Sequence, residues 1–268
     1  MQRMIWWLIV MTGVGALGLI VWNAWRTIEQ PPLPAPAPPV HVASVPSAAT
    51  EPEIRHPVRE TLPEKSLPAL DTSDSTMKNA LVELSGNNGL VDALLLSGFI
   101  RRVIATIDNL PGPKVASRIM PVKRVAGSFA VSGEEGRYAI APDNAARYGH
   151  YVKLAESVDG RKLAAFYFHY YPLFHKAYRE LGYPKGHFND RLVEVIDHLL
   201  EAPEPQAPVA LVRPKVFYLY ADPELEARSA GQKILMRMGP AHAARIKAKL
   251  REIRAEIATL PDTAGSAR

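Results

Sequence analysis

The chain has 268 residues, a formal net charge of +5 and no cysteine. The lack of a thiol excludes disulfides, cysteine nucleophiles, cysteine-based zinc sites and iron–sulfur ligation. Residues from about 69 to 260 carry the mixture of apolar and charged residues that is typical of a globular fold, and this length forms a core without staples. The positive surplus favours anionic partners such as lipid headgroups or acidic glycans, although ordinary solubility explains it as well.

An uncharged apolar run occupies residues 4–25 and is long enough to cross a bilayer as a helix. The four tryptophans of the chain lie at its two ends: Trp6, Trp7, Trp22 and Trp25. Because aromatic rings prefer the headgroup level, we predict a transmembrane anchor over residues 1–30 with these tryptophans at the membrane interfaces. A cleaved signal peptide is the alternative, but the run is too long and has no small-residue cleavage site.

The charges that flank this run set its predicted orientation. Arg3 and the terminal amine precede it, and Arg26 follows it. A short cationic tail before an apolar run is typical of a bacterial signal anchor, whose N-terminus stays in the cytoplasm. We therefore predict a single-pass protein of the bacterial inner membrane with a periplasmic C-terminal domain. Thr12 and Ala16 are small residues four positions apart, so a homo-oligomer through the anchor is an open hypothesis.

Residues 31–68 are dense in proline. Proline locks φ and lacks an N–H group, so such a segment favours polyproline II and serves as a semi-rigid spacer. We predict a stalk here, with an extended limit of about 100 Å at about 3.1 Å per residue. A Pro-x-x-Pro ligand for a groove-shaped domain is the alternative interpretation.

The soluble domain, residues 69–260, is predicted to be mainly α with a small β-hairpin and a further short β segment, and residues 261–268 are predicted to be a disordered tail. Caps at Asp71, Ser73 and Asp74 begin a helix through Leu84, and a second helical stretch runs from Asn88 through Ile107 with an interruption at Gly98. The hairpin joins residues 129–131 to residues 138–140 through a loop that contains two glycines.

A long aromatic helix follows in the second half, capped by Asp159 and ending at Gly182, with a kink or break at Pro172. Asn189 is predicted to cap the next helix, and residues 215–220 resemble a strand. Asp222 and Pro223 begin another helix, and the pair Gly239 and Pro240 separates it from a final basic helix that reaches Ile257.

Several strings resemble a family of bacterial inner-membrane proteins whose soluble part is known only as a domain of unknown function. They are IDNLP at 107–111, FNDRLVEVIDHLL at 188–200, ADPELE at 221–226, SAGQK at 229–233 and RMGP at 237–240. The similarity extends from about Ser66 to Ile257 and implies the same plan of anchor, linker and domain. It implies no functional residues, because the family's activity is not established.

An acidic stripe is the strongest candidate for chemistry. Asp190, Glu194, Asp197 and Glu201, with His198 beside them, lie on adjacent turns of one helix face, as acid–base catalysis or a hard-cation site requires. The competing interpretation is a solvated helix face opposite a core face, with Arg191 neutralising part of the stripe. Asp190, Glu194, Asp197 and His198 are therefore the candidate catalytic residues of a predicted envelope hydrolase or transferase.

Other clusters give weaker signals. His169 and His175 are six residues apart, so they point to different sides of a helix, and no zinc motif is present. The aromatic residues between 166 and 178 fit a core better than a ligand platform. Ser229 lies outside any nucleophile elbow. The last two helices are basic and suit either an anionic polymer or ordinary solvation.

Because no catalytic motif is recognisable, the sequence favours a binding or assembly module over an enzyme. We predict a membrane-anchored envelope protein that binds an envelope protein or an anionic polymer, with no nucleic acid, no metal and no cofactor. The hydrolase or transferase that uses the acidic stripe is the alternative.

Overall fold

The structure, a computed structural model, describes residues 53–58 and 66–258. The predicted anchor, its four tryptophans, most of the stalk and the predicted tail lie outside these residues. Within residues 53–58 and 66–258, no helix is both long enough and apolar enough to cross a membrane.

The described part of the chain is mainly helical, as predicted, with a small antiparallel sheet. The helices are, in chain order, α1 Asp74–Ser85, α2 Gly89–Ala93, α3 Phe99–Asn109, α4 Gly149–Ser157, α5 Gly160–Leu181, α6 Phe188–Leu200, α7 Pro223–Glu226, α8 Ala230–Arg237 and α9 Pro240–Ala258. Three 3-10 turns accompany them at Leu70–Thr72, Ser117–Ile119 and Pro142–Tyr148.

The predicted interruption at Gly98 is confirmed, since α2 and α3 are separate helices and Gly98 has a φ of 61°. Asp74 explains how α3 begins. Its carboxylate accepts hydrogen bonds from the backbone N–H groups of Gly98 at 2.8 Å and Phe99 at 3.2 Å. Asp74 therefore caps α3 rather than its own helix, because an anionic oxygen stabilises the orphan N–H groups of a helix start.

Helix α5 begins as predicted, because the Asp159 side chain accepts a hydrogen bond from Lys162 N at 3.0 Å. Of the kink or break predicted at Pro172, the break is wrong, since one helix runs through the proline. Tyr167 before the proline and Phe174 after it are both buried in the same core. Burial at about 1.5–3 kcal/mol for each large side chain offsets a proline cost of about 3 kcal/mol.

Helix α6 begins at Phe188, and the predicted cap at Asn189 is wrong. Asn189 lies inside the helix and is fully buried, at 0% exposure. Its Nδ2 donates to the carbonyl oxygens of His56 and Ile257 at 3.0 Å each, and its Oδ1 accepts from the Tyr167 hydroxyl at 3.1 Å. These partners satisfy both the N–H groups and the oxygen of the buried amide.

The sheet has four antiparallel strands in the order β1 Val131–Ser132, β2 Tyr138–Ile140, β3 Ala210–Val212 and β4 Leu219–Tyr220. The predicted hairpin is confirmed as β1 and β2. Of the predicted segment 215–220, only Leu219 and Tyr220 form a strand. Strand β3 was not predicted and lies between the hairpin and β4, with Leu211 opposite both Tyr138 and Tyr220.

The helices enclose the main core, and the sheet packs against α8. Leu211 and Tyr220 from the sheet are buried together with Met236 of α8. The helix predicted to begin at Asp222 is divided, since α7 ends at Glu226 and α8 begins one turn later with Ser229 as its cap. The predicted division at Gly239 and Pro240 is confirmed.

Candidate binding site

The main core of the domain contains an apolar cavity of about 320 Å³ between α3, α5, α6 and α9. None of its lining residues is charged. Val103, Leu163, Leu192 and Ile253 line it and are only partly buried. The cavity is therefore a carbon-walled site rather than a polar cleft.

The helical periodicity of the sequence produces these walls. Phe99, Val103 and Ile107 recur every four residues on α3, so they share one face of that helix. Helix α9 contributes a similar face through Leu250, Ile253 and Ile257. The apolar faces of α3, α5, α6 and α9 meet around the cavity, and their side chains do not fill all of the space between the four helices.

The size of the cavity has an energetic consequence. Protein interiors contain few voids larger than a water molecule. This space is partly open to solvent rather than enclosed, so an apolar occupant would remove apolar wall from water and add packing that the side chains alone do not provide.

Polar atoms contribute little to the lining. Tyr167 carries the only hydroxyl among the described lining residues, and this hydroxyl donates to Asn189 Oδ1. Burial raises the pKa of Tyr167 well above its usual range, with the charge of Asp190 as a smaller cause, so the phenol stays neutral. The site thus offers contact to hydrocarbon and no charge to a ligand that enters it.

The acidic stripe of α6 lies on a different part of the surface, and its four candidate catalytic residues each have a partner of their own. Asp190 accepts hydrogen bonds from the backbone N–H groups of Arg55 at 3.1 Å and His56 at 2.6 Å. The structure thus places residues 53–58, which belong to the predicted stalk, against the start of α6.

Glu194 belongs to a second group centred on Arg191. Arg191 Nη1 donates to Glu194 at 3.0 Å, and its Nε donates to Asp108 at 3.0 Å. Burial lowers the pKa of Arg191. Glu194 and Asp108 together raise this pKa by more than burial lowers it, so the net shift is upward. Asp108 also accepts from the Tyr183 hydroxyl at 3.0 Å, which raises the pKa of that phenol.

The last two candidates also separate. Asp197 accepts two hydrogen bonds from Arg254 of α9, and this contact lowers the pKa of the carboxyl. His198 Nε2 lies 2.8 Å from the Ser229 hydroxyl. The catalytic interpretation of Asp190, Glu194, Asp197 and His198 stays a prediction, and the structure directs each of these side chains to a different partner.

The pairing of His198 with Ser229 spans 31 residues, so no local motif could have shown it. Ser229 Oγ also accepts from Gln232 N at 3.2 Å and caps α8. The neighbouring N–H groups of Ala230 and Gly231 donate to Gly112 O at 2.8 Å and Leu110 O at 2.9 Å. An oxyanion site needs free donors, and these backbone donors are already bound.

A family model for DUF3014, described as a protein of unknown function, matches residues 99–254, which is more than half of the 268-residue chain. The chain belongs to the DUF3014 family. No match is found among curated proteins or among solved structures. The predicted resemblance to a domain of unknown function is thereby confirmed, whereas membrane anchoring and a bacterial family stay predictions.

The DUF3014 match begins at the first residue of α3 and ends within α9, so it contains most of the cavity wall. Three of the strings that carried the resemblance meet in the fold. Leu110 from the first, Leu199 from the second and Gly231 from the fourth are in contact. Within the described part of the chain, no group of three or more histidine, aspartate and glutamate side chains is placed to hold a metal ion.

Proposed function

We propose that the DUF3014 domain is a binding module for a hydrocarbon chain, and that an N-terminal anchor holds it in the bacterial inner membrane, facing the periplasm. The observation that carries the binding role is the uncharged 320 Å³ cavity between α3, α5, α6 and α9. Concave sites lined by apolar and aromatic side chains are where proteins bind apolar ligands.

The lining of the cavity selects the class of ligand. Its walls are apolar side chains, and the Tyr167 hydroxyl among the described lining residues is already bonded to Asn189. An alkyl or acyl chain matches such walls, with any polar group of the ligand left outside because the lining has no charge to receive it.

The membrane part of the proposal rests on the sequence. The uncharged run at residues 4–25 supports an anchor, and the position of Arg3 supports a cytoplasmic N-terminus. Alkaline phosphatase fused after Arg268 should be active if the domain is periplasmic. Green fluorescent protein that folds and fluoresces at the same position would show a cytoplasmic domain instead.

A cavity-filling variant tests the binding role. Ala164 of α5 lines the cavity and is 4% exposed, whereas its neighbour Ala165 is exposed. Ala164→Leu adds carbon to the cavity, and Ala165→Leu adds the same carbon to the surface. The two variants are therefore a matched pair.

The probe is a photoreactive dodecanoic acid, added to the full chain in nanodiscs, with cross-linked peptides mapped by mass spectrometry. We expect cross-links on α3 and α9 in the wild type and in Ala165→Leu, and their loss in Ala164→Leu. Cross-links confined to residues 4–25 in all three proteins would show that the probe meets only the anchor. Circular dichroism confirms that each variant is folded.

A hydrolase or transferase is the second candidate, and the 2.8 Å contact between His198 and Ser229 is the observation that favours it. It predicts that His198→Ala and Glu194→Ala each fail to restore the phenotype of a deletion strain. Restoration by both variants, produced at the wild-type level, would exclude this function and leave the binding role intact.

A further inference from the structure

The loop between β3 and β4, residues 213–218, exposes two adjacent apolar side chains. Val216 is 71% exposed and Phe217 is 78% exposed, the highest values among the large hydrophobic residues of the described chain. Single apolar residues on a surface are ordinary, whereas contiguous exposed apolar patches mark interaction sites. Val216 and Phe217 are neighbours in the loop, and Phe217 contributes an aromatic ring.

The two strands hold this loop in place. Leu211 of β3 and Tyr220 of β4 are 5% and 3% exposed and lie opposite each other in the sheet. Tyr218 stands edge-on to Tyr138 with 5.3 Å between the ring centroids, and the Arg213 guanidinium lies 5.3 Å from the Tyr218 ring centroid. The buried neighbours fix both ends of the loop, while Phe217 between them extends into solvent.

Positive charge accompanies the apolar pair. The loop contains Arg213 and Lys215 and no acidic residue. The turn between β1 and β2 lies at the same end of the sheet, because Tyr138 pairs with Leu211. That turn adds Arg137 together with Glu134 and Glu135, so the two loops carry three cations and two carboxylates.

We propose that this loop inserts Val216 and Phe217 into the interfacial layer of a lipid bilayer, with Arg213 and Lys215 against anionic headgroups. An apolar tip that projects from a sheet suits a fluid interface, where the rings and methyl groups leave water while the cations stay among the phosphates. Cations near an anionic surface add to this attraction.

The absence of cysteine allows one reporter to be placed in the full chain. Val216→Cys carries an environment-sensitive fluorophore at the tip, and Ala165→Cys carries it at an exposed position of α5. Each protein is reconstituted in nanodiscs that contain nitroxide-labelled lipid, with phosphatidylcholine alone or mixed with phosphatidylglycerol. We expect strong quenching at position 216, more with phosphatidylglycerol, and weak quenching at position 165.

Second substitutions separate the contributions of the loop. In the Val216→Cys background, Phe217→Ser should lower the ratio of inserted to free loop about tenfold. The substitution removes the aromatic ring that the lipid interface would bury. Replacing Glu134 and Glu135 by glutamine should raise this ratio in the anionic nanodiscs. Because Phe217 is 78% exposed, its loss should leave the thermal unfolding midpoint unchanged.

Two results of the quenching experiment would overturn the proposal. One is equal, weak quenching at positions 216 and 165 in both lipid mixtures. The other is strong quenching at position 216 that Phe217→Ser does not reduce. A photo-cross-linker at position 216 that captures a protein in intact cells, without quenching in nanodiscs, would also count against it and would assign the loop to a protein partner.

Discussion

Gly231 of α8 lies so close to Leu199 of α6 that an added Cβ would stand 2.5 Å from the leucine Cδ2. The same Cβ would lie 3.2 Å from the carbonyl oxygen of Leu110, which already accepts a hydrogen bond from Gly231 N at 2.9 Å. Because glycine has no Cβ, α8 can pack directly against the end of α6 and the turn that follows α3.

Gly231→Ala should destabilise the domain by about 1–3 kcal/mol, because the new methyl overpacks a rigid junction. The gain in helix propensity of up to about 1 kcal/mol works against this loss. Gly149→Ala is the control, since its Cβ would have His242 Cε1 as its nearest neighbour at 3.9 Å. Urea unfolding measures both variants, and equal stability of the two would contradict the prediction.

Elements that depend on local signals could be predicted from the sequence. The start of α5 at Asp159 and the hairpin of β1 and β2 rest on capping and turn residues within a few positions. Strand β3 was missed because three residues after a proline-rich stretch carry little pattern of their own. It forms because β2 and β4 provide partners on both sides.

The candidate sites needed contacts between distant residues. The spacing of Asp190, Glu194, Asp197 and His198 correctly places them on one helix, α6. Their partners, among them Arg254 and Ser229, come from elsewhere in the chain, and no spacing rule identifies these. The apolar cavity is a gap between the faces of several helices. The sequence predicts the apolar face of each helix, but it does not give the distance between one helix and the next.

Asn189 should be among the most sensitive polar positions, since it joins the predicted stalk, α5 and α9. Asn189→Ala leaves the Tyr167 hydroxyl and the carbonyl oxygens of His56 and Ile257 without this partner. We expect a loss of about 2–4 kcal/mol in the free energy of unfolding, because each buried unsatisfied group costs about 1–3 kcal/mol.

The control for this variant is Asn109→Ala, at an exposed position near the end of α3. Its effect should stay within about 0.5 kcal/mol. Tyr167→Phe combined with Asn189→Ala should cost less than the sum of the two single losses, because the residues share one hydrogen bond. If the losses of the two single variants add exactly in the double variant, the hydrogen bond between Tyr167 and Asn189 contributes nothing to stability.

Asp190 should control the docking of residues 53–58. Its carboxylate binds the N–H groups of Arg55 and His56, so Asp190→Ala removes two charge-assisted hydrogen bonds. We expect trypsin to cleave after Arg55 about tenfold faster, which corresponds to about 1.4 kcal/mol. Glu201→Ala at the exposed end of the same helix is the control. An unchanged rate in Asp190→Ala would show that other contacts hold the segment.

The ion pair of Asp197 and Arg254 should make stability depend on pH in the acidic range. The hydrogen bond from Arg254 lowers the pKa of Asp197 in the folded protein. The unfolded chain then takes up a proton at a higher pH, near the ordinary aspartate pKa of about 4. The stabilisation is therefore fully present above about pH 4 and is lost as the pH falls through the lower folded-state pKa.

Exposure limits the size of this effect, since the side chains of Arg254 and Asp197 are 39% and 43% exposed. Solvent screening leaves about 0.2–1 kcal/mol for such a pair. A double-mutant cycle of Asp197→Asn and Arg254→Gln, measured by urea unfolding, should give this coupling at pH 7 and a smaller value at pH 3. Added salt should weaken the coupling at pH 7. A coupling energy that is the same at both pH values would mean that the contact between α6 and α9 does not depend on the charge of Asp197.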